Sequence, residues 1–490
     1  MKRYTTLSAA IALILGASGT IYAGSTAVVN QNGSDNDAYI EQEDSNGALA
    51  TINQDGNANE ASIMNLYISD DAVSTVNQEG SSNWGDISTF DSDRAQSTIN
   101  QEGSENAGTI EVDSSFDVIG TINQYGSDNF AEITQYEFSD GSVATITQDG
   151  VGNDGSIDVD STMDSEASIN QVGDENIASI AQWDASDNSV ATINQDGEIG
   201  GMGNIADIAQ IGAVESSALI DQYGDYNDAT ITQSVGLANT AEIDQESDLA
   251  IADITQSGEA NNATIYQEDS WDAWASITQD GDANEASITN WELSDGAITS
   301  IDQTGTGNMG TIVTYDSDSG ASAIVQDGEG NAADIDVDSS FYTDSVITQS
   351  GEINLATVSF SEFSDGSSAY IDQNGDANSA DIQVVECIDC TASISQNGQW
   401  NDASISQTGE GNDASISQSG SYNEAEIIQS GSYNIASIDQ NGTGNYAIID
   451  QSGNGSSAPN TASISQNGSD FWASITQTGG GGNSATIVQY

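Results

Sequence analysis

The sequence has almost no positive charge and no histidine. Of its 490 residues, three are Lys or Arg and 78 are Asp or Glu. Lys2 and Arg3 lie at the amino terminus, so Arg94 is the only later cation. Nucleic acids and anionic membrane surfaces are bound by clustered Lys and Arg, so the composition predicts neither as a partner. Without His, and without any lysine after Lys2, His-based triads, Lys bases and His-ligated metal sites are excluded.

Proline and long hydrophobic runs are also scarce. The single proline, Pro459, excludes collagen and proline-rich stalks. Hydrophobic residues make up 36% of the chain, below the roughly 45–50% that is typical of globular domains. The apolar run from Leu7 to Leu15, interrupted only by Ser8, is too short to span a membrane as a helix. We therefore expect neither ordinary globular domains nor insertion into a membrane.

The amino terminus has the layout of a secretory signal peptide. A short basic segment at residues 1–3 precedes the apolar run, and Ala23 offers a small residue at a cleavage site. We therefore predict a signal peptide over residues 1–23 and a secreted mature chain over residues 24–490. The mature chain begins its first repeat at once, at Ser25.

One repeated pattern dominates the sequence that follows. The signature Q-x-G-x-x-N occurs 19 times between Gln31 and Asn445. Beside it, inward and outward positions alternate with a period of two, as at Ala167, Ile169 and Gln171, which is typical of β-strands. Such short strands cannot bury their apolar faces alone, whereas stacked units can. We predict an all-β fold, a β-solenoid of stacked strand-turn-strand repeats with cross-β, amyloid-like pairing.

The spacing of the leading glutamines gives the size of the repeat. Widely spaced glutamines come first, and closely spaced ones follow towards the carboxyl terminus. The wide spacing includes Gln31, Gln54, Gln78, Gln101, Gln124, Gln148 and Gln171, and the close spacing includes Gln396, Gln407, Gln418, Gln429, Gln440 and Gln451. The structural unit is therefore a half-repeat, and the wide spacing is two halves with one longer connection. We predict about 20 two-strand rungs, with the 23-residue period to about residue 395 and 11-residue half-repeats after it.

The amides of the repeat occupy the same strand face as its Ala and Ile residues. An isolated buried amide is unfavourable, but identical amides in neighbouring strands can hydrogen-bond along the stack. We predict structural ladders at the corresponding positions of several copies, namely Gln31, Gly33, Asn36, Ala38, Gln42, Gln171, Gly173, Asn176, Ala178, Gln182, Gln222, Gly224, Asn227, Ala229, Gln233, Gln418, Asn423, Gln429, Asn434 and Gln440.

The frame S-x5-Q-x-G-x-x-N-x-A-x3-Q resembles the curlin repeat of bacterial curli fibre subunits, over nearly all of residues 25–489. The resemblance implies a subunit, main or minor, of a functional amyloid fibre that is a homopolymer at the cell surface. It also implies export through an outer-membrane secretion pore, seeding by a curlin nucleator, and a role in cell adhesion and biofilm matrix. Neither the residues nor the resemblance indicates an enzyme or a cofactor.

Two residue pairs are candidate local sites. Cys387 and Cys390 form a C-x-x-C in a secreted chain, and a local disulfide is favoured over a redox pair because no basic group is near in sequence. Asp316 and Asp318 alternate with serines and could supply oxygen ligands to Ca²⁺. The spacing of known calcium loops is absent, so a solvated acidic face is the simpler interpretation.

A monomeric rod-like surface adhesin is the main alternative. Trp271, Trp274 and Trp291 are expected in the longer connections, where they could stack on sugars. A fibre subunit should elongate with concentration, whereas an adhesin should remain discrete. Calcium-binding and ice-binding solenoids are less expected, the latter suggested by the T-x-T pairs Thr145/Thr147 and Thr230/Thr232.

Overall fold

The computed structural model describes residues 24–114, 116–197, 200–454 and 458–490, together with the short strand Ile11–Ile14. Apart from this short strand, the signal peptide predicted over residues 1–23 lies outside the described residues, and it stays a prediction. Within the described ranges every regular element is a β-strand, and no helix there could cross a membrane. The chain divides into two compact units, Met1–Gln245 and Glu246–Tyr490.

The first unit contains the first twenty strands, of which the last ends one residue beyond the unit. They are β1 (Ile11–Ile14), β2 (Thr26–Ser34), β3 (Asp37–Gln42), β4 (Leu49–Asn57), β5 (Glu60–Leu66), β6 (Val73–Ser81), β7 (Trp84–Phe90), β8 (Gln96–Ser104), β9 (Ala107–Asp113), β10 (Ile119–Ser127), β11 (Phe130–Tyr136), β12 (Val143–Val151), β13 (Asp154–Asp160), β14 (Glu166–Asp174), β15 (Ile177–Trp183), β16 (Val190–Asp196), β17 (Ile205–Val214), β18 (Ser217–Tyr223), β19 (Asp228–Leu237) and β20 (Thr240–Glu246).

The second unit contains the remaining strands. They are β21 (Ile251–Glu259), β22 (Asn262–Glu268), β23 (Trp274–Asp282), β24 (Glu285–Trp291), β25 (Ile298–Thr306), β26 (Met309–Tyr315), β27 (Ala321–Glu329), β28 (Ala332–Asp338), β29 (Asp344–Glu352), β30 (Leu355–Ser361), β31 (Ser368–Asp376), β32 (Ser379–Ile388), β33 (Thr391–Gln399), β34 (Asp402–Glu410), β35 (Asp413–Ser421), β36 (Glu424–Ser432), β37 (Asn434–Thr443), β38 (Tyr446–Asn454), β39 (Asn460–Ser469), β40 (Trp472–Gly480) and β41 (Ser484–Gln489).

Each unit is a parallel β-solenoid in which two successive strands make one rung. Even-numbered strands stack in one sheet and odd-numbered strands in the other, and each strand pairs in register with its equivalent one rung away. Gln101, Gln124 and Gln148 therefore align in successive rungs. The inward Ala, Ile and Gln positions are buried between the two sheets, while the alternate positions face outward. The predicted β-solenoid is confirmed, with about 20 turns in the chain.

The tight turns require glycine for a steric reason. Gly126 has a φ of 104°, and a Cβ atom there would lie 2.1 Å from the carbonyl oxygen of Gly150 in the next rung. Asp128 also has a positive φ, of 59°. The next residue, Asn129, is the buried asparagine of the turn. Within Q-x-G-x-x-N, the left-handed residues are thus the glycine and the residue before the asparagine.

The longer connections replace the buried asparagine with serine. After β11, the Ser139 hydroxyl donates to the carbonyl oxygens of Tyr136 at 2.6 Å and of Val159, one rung further, at 3.1 Å. Ser186 makes the same pair of bonds. Because serine fills the inside of the connection, larger apolar side chains face outward, as Phe138 does.

Candidate functional site

A continuous glutamine ladder follows the even-numbered sheet of the first unit. Each Nε2 group donates to the Oε1 atom of the glutamine one rung further along, at 2.7–3.0 Å. The stacked amides satisfy one another inside the core, so burial does not leave them without partners. The members are Gln31, Gln54, Gln78, Gln101, Gln124, Gln148, Gln171, Gln195, Gln222 and Gln245.

The same glutamines also tie the two sheets of the unit together. The Nε2 group of Gln124 shares its two N–H donors among three acceptors: Gln148 Oε1 at 3.0 Å and the carbonyl oxygens of Ala107 at 2.8 Å and Asn129 at 3.0 Å. Ala107 opens a strand of the opposite sheet. Each glutamine therefore bonds both along the stack and across the core.

A second ladder consists of the asparagines that close the tight turns. The backbone N–H and the Nδ2 group of Asn129 both donate to Asn106 Oδ1, at 3.2 and 3.0 Å. Its Nδ2 group also lies 3.1 Å from the carbonyl oxygens of Tyr125 and Gly150, and its Oδ1 atom accepts from Asn153. Each asparagine thus clamps its own turn onto the turns above and below.

The structure places most of the predicted ladder residues in these columns. In the first unit, Gln182 and Gln233 belong to a ladder of the odd-numbered sheet, where Gln210 joins them. Gln42 instead aligns with Asn65 and donates to the carbonyl oxygen of Ala48 at 3.3 Å. Positive-φ turns contain Gly33, Gly173 and Gly224, and buried inward positions are occupied by Ala38, Ala178, Ala229, Asn36, Asn176 and Asn227.

The second unit carries a glutamine ladder in each sheet. Gln418 donates to Gln440 at 2.9 Å in one sheet, and Gln429 donates to Gln451 at 2.9 Å in the other. Asn423 and Asn434 lie in two separate asparagine columns, and their Oδ1 partners are Asn401 and Asn412 respectively. Both turns of each rung are therefore clamped in this part of the unit.

Valine or phenylalanine interrupts the ladders at several rungs. Val159 lies between Gln135 and Gln182, and Val384 precedes Gln407. Because each Oε1 atom accepts from the preceding rung, those of Gln182 and Gln407 lack a partner after these valines, and that of Gln135 lacks one after Val112. The longest apolar run in a ladder column, Val337, Phe360 and Val384, places Phe360 among the largest fully buried side chains.

The two cysteines form a disulfide at the point where the turn type changes. Cys387 lies near the end of β32 and Cys390 in the following connection, with both side chains buried and their Cα atoms 5.8 Å apart. Their backbone N–H groups donate to the hydroxyls of Ser364 and Ser367 in the preceding rung. One rung further, Asn412 begins an asparagine column. The disulfide thus lies in the connection between a rung whose connection contains inward serines and a rung whose turn contains a buried asparagine.

The acidic residues in the described parts of the connections do not converge on a cation site. Asp316 and Asp318 are half-buried, and Asp318 Oδ1 accepts the N–H of Asp295 at 3.3 Å. Burial raises the pKa of Asp318, and the nearby charges of Asp295 and Asp316 add to that effect. Within the described ranges, no group of three or more Asp, Glu, Cys or His side chains could hold a metal ion.

Outward carboxylates are also affected by burial. It raises the pKa of Asp334 and is the largest cause of the raised pKa of Asp86, Asp207 and Asp336. Burial, followed by a hydrogen bond to Glu111, raises the pKa of Tyr136 to about 12. The outer faces therefore disfavour further negative charge at neutral pH.

The tryptophans of the connections are more dispersed than expected. Trp271 lies in a connection and is exposed, whereas Trp274 opens β23 and Trp291 ends β24, where its ring contacts Tyr315. The T-x-T pairs lie in different sheets, Thr145/Thr147 on β12 and Thr230/Thr232 on β19.

Three features of these columns were not predicted from the sequence: the inward serines, the ladder interruptions and an outward asparagine column. Each becomes visible when residues one rung apart are written above one another. Asn53, Asn77 and Asn100, for example, align in successive strands.

In-register parallel rungs with internal amide ladders define a repeat protein of the β-solenoid class. The family model described as the curlin associated repeat matches residues 162–197, 215–246, 389–420, 409–440 and 434–458, so the chain contains repeats of the curlin type. Among curated proteins, none matches the chain.

Proposed function

We propose that the chain is a structural subunit of extracellular curli-like amyloid fibres. In this proposal, copies assemble end to end at the cell surface and contribute to cell adhesion and to biofilm matrix. The observation that carries it is the pairing itself, because in-register parallel strands with identical stacked amides can extend from one copy to the next without a change of geometry.

The outermost strands support this proposal. Ala485 and Ile487 on β41 are only half-buried, whereas Ile464, which pairs with Ile487, is buried. On β2, Val29 is half-buried and its partner Ile52 is buried. Among the described residues, β2 pairs with β4 on one side and β41 pairs with β39 on one side. A second copy could cover these edges and bury their apolar side chains.

The terminal amides have the same incomplete pairing. Gln489 accepts from Gln466 at 2.8 Å and donates to the carbonyl oxygen of Trp472 at 3.2 Å. Gln31 donates to Gln54 at 2.7 Å. A second copy stacked on either edge could continue the ladder at these two residues.

The proposal includes the partners that the family resemblance implies. These are other copies of the chain, a curlin nucleator and an outer-membrane secretion pore, with no nucleic acid and no membrane insertion. The role is structural rather than catalytic, and it requires no cofactor. The absence of histidine and the recurrence of carboxylates throughout the repeats support a non-enzymatic role.

Seeded growth tests the proposal. Residues 24–490 are purified in denaturant and diluted into high salt, and fibre diffraction is combined with a seeded thioflavin time course. We expect seeded elongation and a meridional reflection near ~4.7–4.8 Å. Discrete rods that never elongate would instead support the monomeric adhesin.

One pair of variants sharpens the test. Ile487→Glu places a charge on the inward face of the edge strand β41, where a second copy would have to bury it. Val488→Glu places the same charge at the neighbouring outward position. We expect Ile487→Glu to slow seeded elongation at least about tenfold and Val488→Glu to have little effect. Equal rates in the two variants would contradict growth through this edge.

A further inference from the structure

The even-numbered sheet of the first unit carries a groove on its outer face. The groove has a volume of about 540 Å³ and crosses β2, β4, β6, β8 and β10. Clefts of this size are typical of sites for small or oligomeric ligands. Its lining belongs to one unit and reaches the edge strand β2. The groove lies on the outer face of the sheet, whereas fibre growth is proposed through the backbone edge of β2, so binding and growth can be tested separately.

An asparagine column forms the floor of the groove. Asn30, Asn53, Asn77 and Asn100 each donate from Nδ2 to the Oδ1 atom of the next asparagine, at 2.7–2.8 Å. An amide has two N–H donors and two acceptor lone pairs, so the ladder leaves one of each free at every rung. The half-exposed Asn53, Asn77 and Asn100 present these free groups to a ligand.

A second column borders the floor. Glu79 and Glu102 occupy aligned positions in successive rungs, and Tyr125 is the next residue in that column. Both carboxylates are exposed, as is the Tyr125 ring at 41%. The groove therefore offers acceptors at regular intervals and an aromatic face at one end.

These features select the ligand by chemistry. Sugar hydroxyls both donate and accept, and they match amides and carboxylates, while the apolar face of a sugar ring stacks on an aromatic side chain. Anionic polymers are disfavoured because the chain has 78 acidic residues against three basic ones. Asparagines in successive rungs are separated by the ~4.7–4.9 Å spacing of the strands, so a linear glycan that lies along the stack meets another amide at each rung.

We propose that the groove binds a neutral, β-linked linear polysaccharide that runs along the stack, with successive sugars contacting successive asparagines and with Tyr125 stacking on the sugar at one end. Weak contacts that are repeated along the polymer add together, so affinity depends on the length of the glycan.

Titration calorimetry of the purified protein with β-1,4-linked glucose oligomers tests the proposal. We expect affinity to rise steeply from the disaccharide to the pentasaccharide, and oligogalacturonate of equal length to bind more weakly. No detectable binding of any neutral oligomer, or tighter binding of the anionic one, would overturn the proposal.

Variants locate the site. Asn77→Thr combined with Asn100→Thr removes the amides but keeps a side chain that occurs naturally in this column, as Thr147 does on β12. Tyr125→Asp introduces the residue type of the aligned Asp149, and it supplies an independent test if the double variant does not fold. We expect each to weaken pentasaccharide binding about tenfold.

Thr278→Ser is the matched control. Thr278 faces outward on β23 in the second unit, where its aligned neighbours are Thr255 and Asp302 rather than asparagines. This variant should bind the pentasaccharide like the original protein. Unchanged binding in both groove variants would overturn the assignment of the site, whatever the outcome of the fibre assays.

Discussion

The single residue that best explains this fold is a buried amide. An amide placed alone in an apolar core loses its hydrogen bonds to water and is destabilising. Asn129 avoids this because it bonds to Asn106, Asn153 and three backbone groups within its own and adjacent rungs. Polarity in the core is therefore stabilising only while the repeat is maintained.

Removing one of these amides should open the stack locally. Asn129→Ala removes the side-chain bonds and leaves the N–H of Asn153 without its acceptor, so we expect a loss of about 3 kcal/mol in local stability. In a solenoid the effect falls mainly on the adjacent rungs, so hydrogen exchange of the backbone amides near Asn106 and Asn153 is the measurement. Asn170→Ala, on the exposed outer face of β14, is the control. Equal protection in the two variants would contradict the role of the ladder.

Replacing Asp86, unlike replacing Asn129, should stabilise the protein. Burial raises its pKa, Glu111 adds to the effect and a hydrogen bond from Ser62 opposes it, while Oδ1 is buried without a partner. Because the pKa of Asp86 is raised in the folded state, its protonated form stabilises the fold when the pH is below the ordinary pKa of 3.8. This contribution is lost as the pH rises through the raised pKa. At neutral pH, Asp86→Asn should therefore stabilise the protein by about 0.5 kcal/mol, since solvent screens the half-exposed carboxylate.

Denaturant unfolding at pH 7 and at pH 3 measures this difference. The stabilisation by Asp86→Asn should be present at pH 7 and absent at pH 3, where the original carboxyl group is protonated. A variant that is equally stabilised at both pH values would show that packing, and not charge, explains the effect.

Strands and turns were largely predictable because their pattern is local. Alternation in Ala167, Ile169 and Gln171 identifies a strand and its inward face from the sequence alone. The interruptions at Val159 and Val384 were not predictable in this way. Valine is a good strand former, so it leaves the alternation intact, and its effect appears only when the residue one rung away is known.

The same reasoning explains what else the sequence did not reveal. Ser139 lies in an Asp- and Ser-rich connection that reads as solvent-exposed, and only the stacked backbone shows that it points inward. The outward groove depends on the register between strands that are a full rung apart in the sequence. Register of this kind is a property of the stack, and no single half-repeat contains it.

Closing one ladder interruption is a test at the scale of the element. Val159→Gln places an amide between Gln135 and Gln182, where it can accept from the first and donate to the orphaned Oε1 of the second. The two new bonds offset the lost apolar burial, so we expect stability within about 1 kcal/mol of the original protein.

A matched substitution lacks these partners. Val337 is equally buried, but it lies between Thr314 and Phe360. Val337→Gln should therefore cost about 3 kcal/mol, because its amide has no glutamine partner along the stack. Local hydrogen exchange around β13 and β28 compares the two variants, and similar losses at both positions would contradict the ladder explanation.

For the molecule as a whole, the formal charge of −75 at pH 7 opposes the addition of one copy to another. Carboxylates in successive rungs lie closer together than the Debye length, which falls from about 30 Å at 0.01 M salt to about 8 Å at 0.15 M. Assembly and folding should therefore both respond to anything that reduces this charge. Acid should act in the same direction, because the carboxylates with raised pKa, such as Asp207 and Asp336, take up protons most readily in the folded state.

Seeded elongation should consequently be slow at low ionic strength and faster in high salt, in millimolar calcium, and on acidification towards the isoelectric point of about 4.1. We expect at least about a tenfold difference in rate between 0.01 M and 0.5 M sodium chloride. Calcium and sodium compared at equal ionic strength separate general screening from specific binding, since screening alone predicts similar rates. Each added copy must overcome the repulsion between like charges, so the elongation rate should follow the degree of screening. Rates that do not change across all these conditions would show that the charge does not govern assembly.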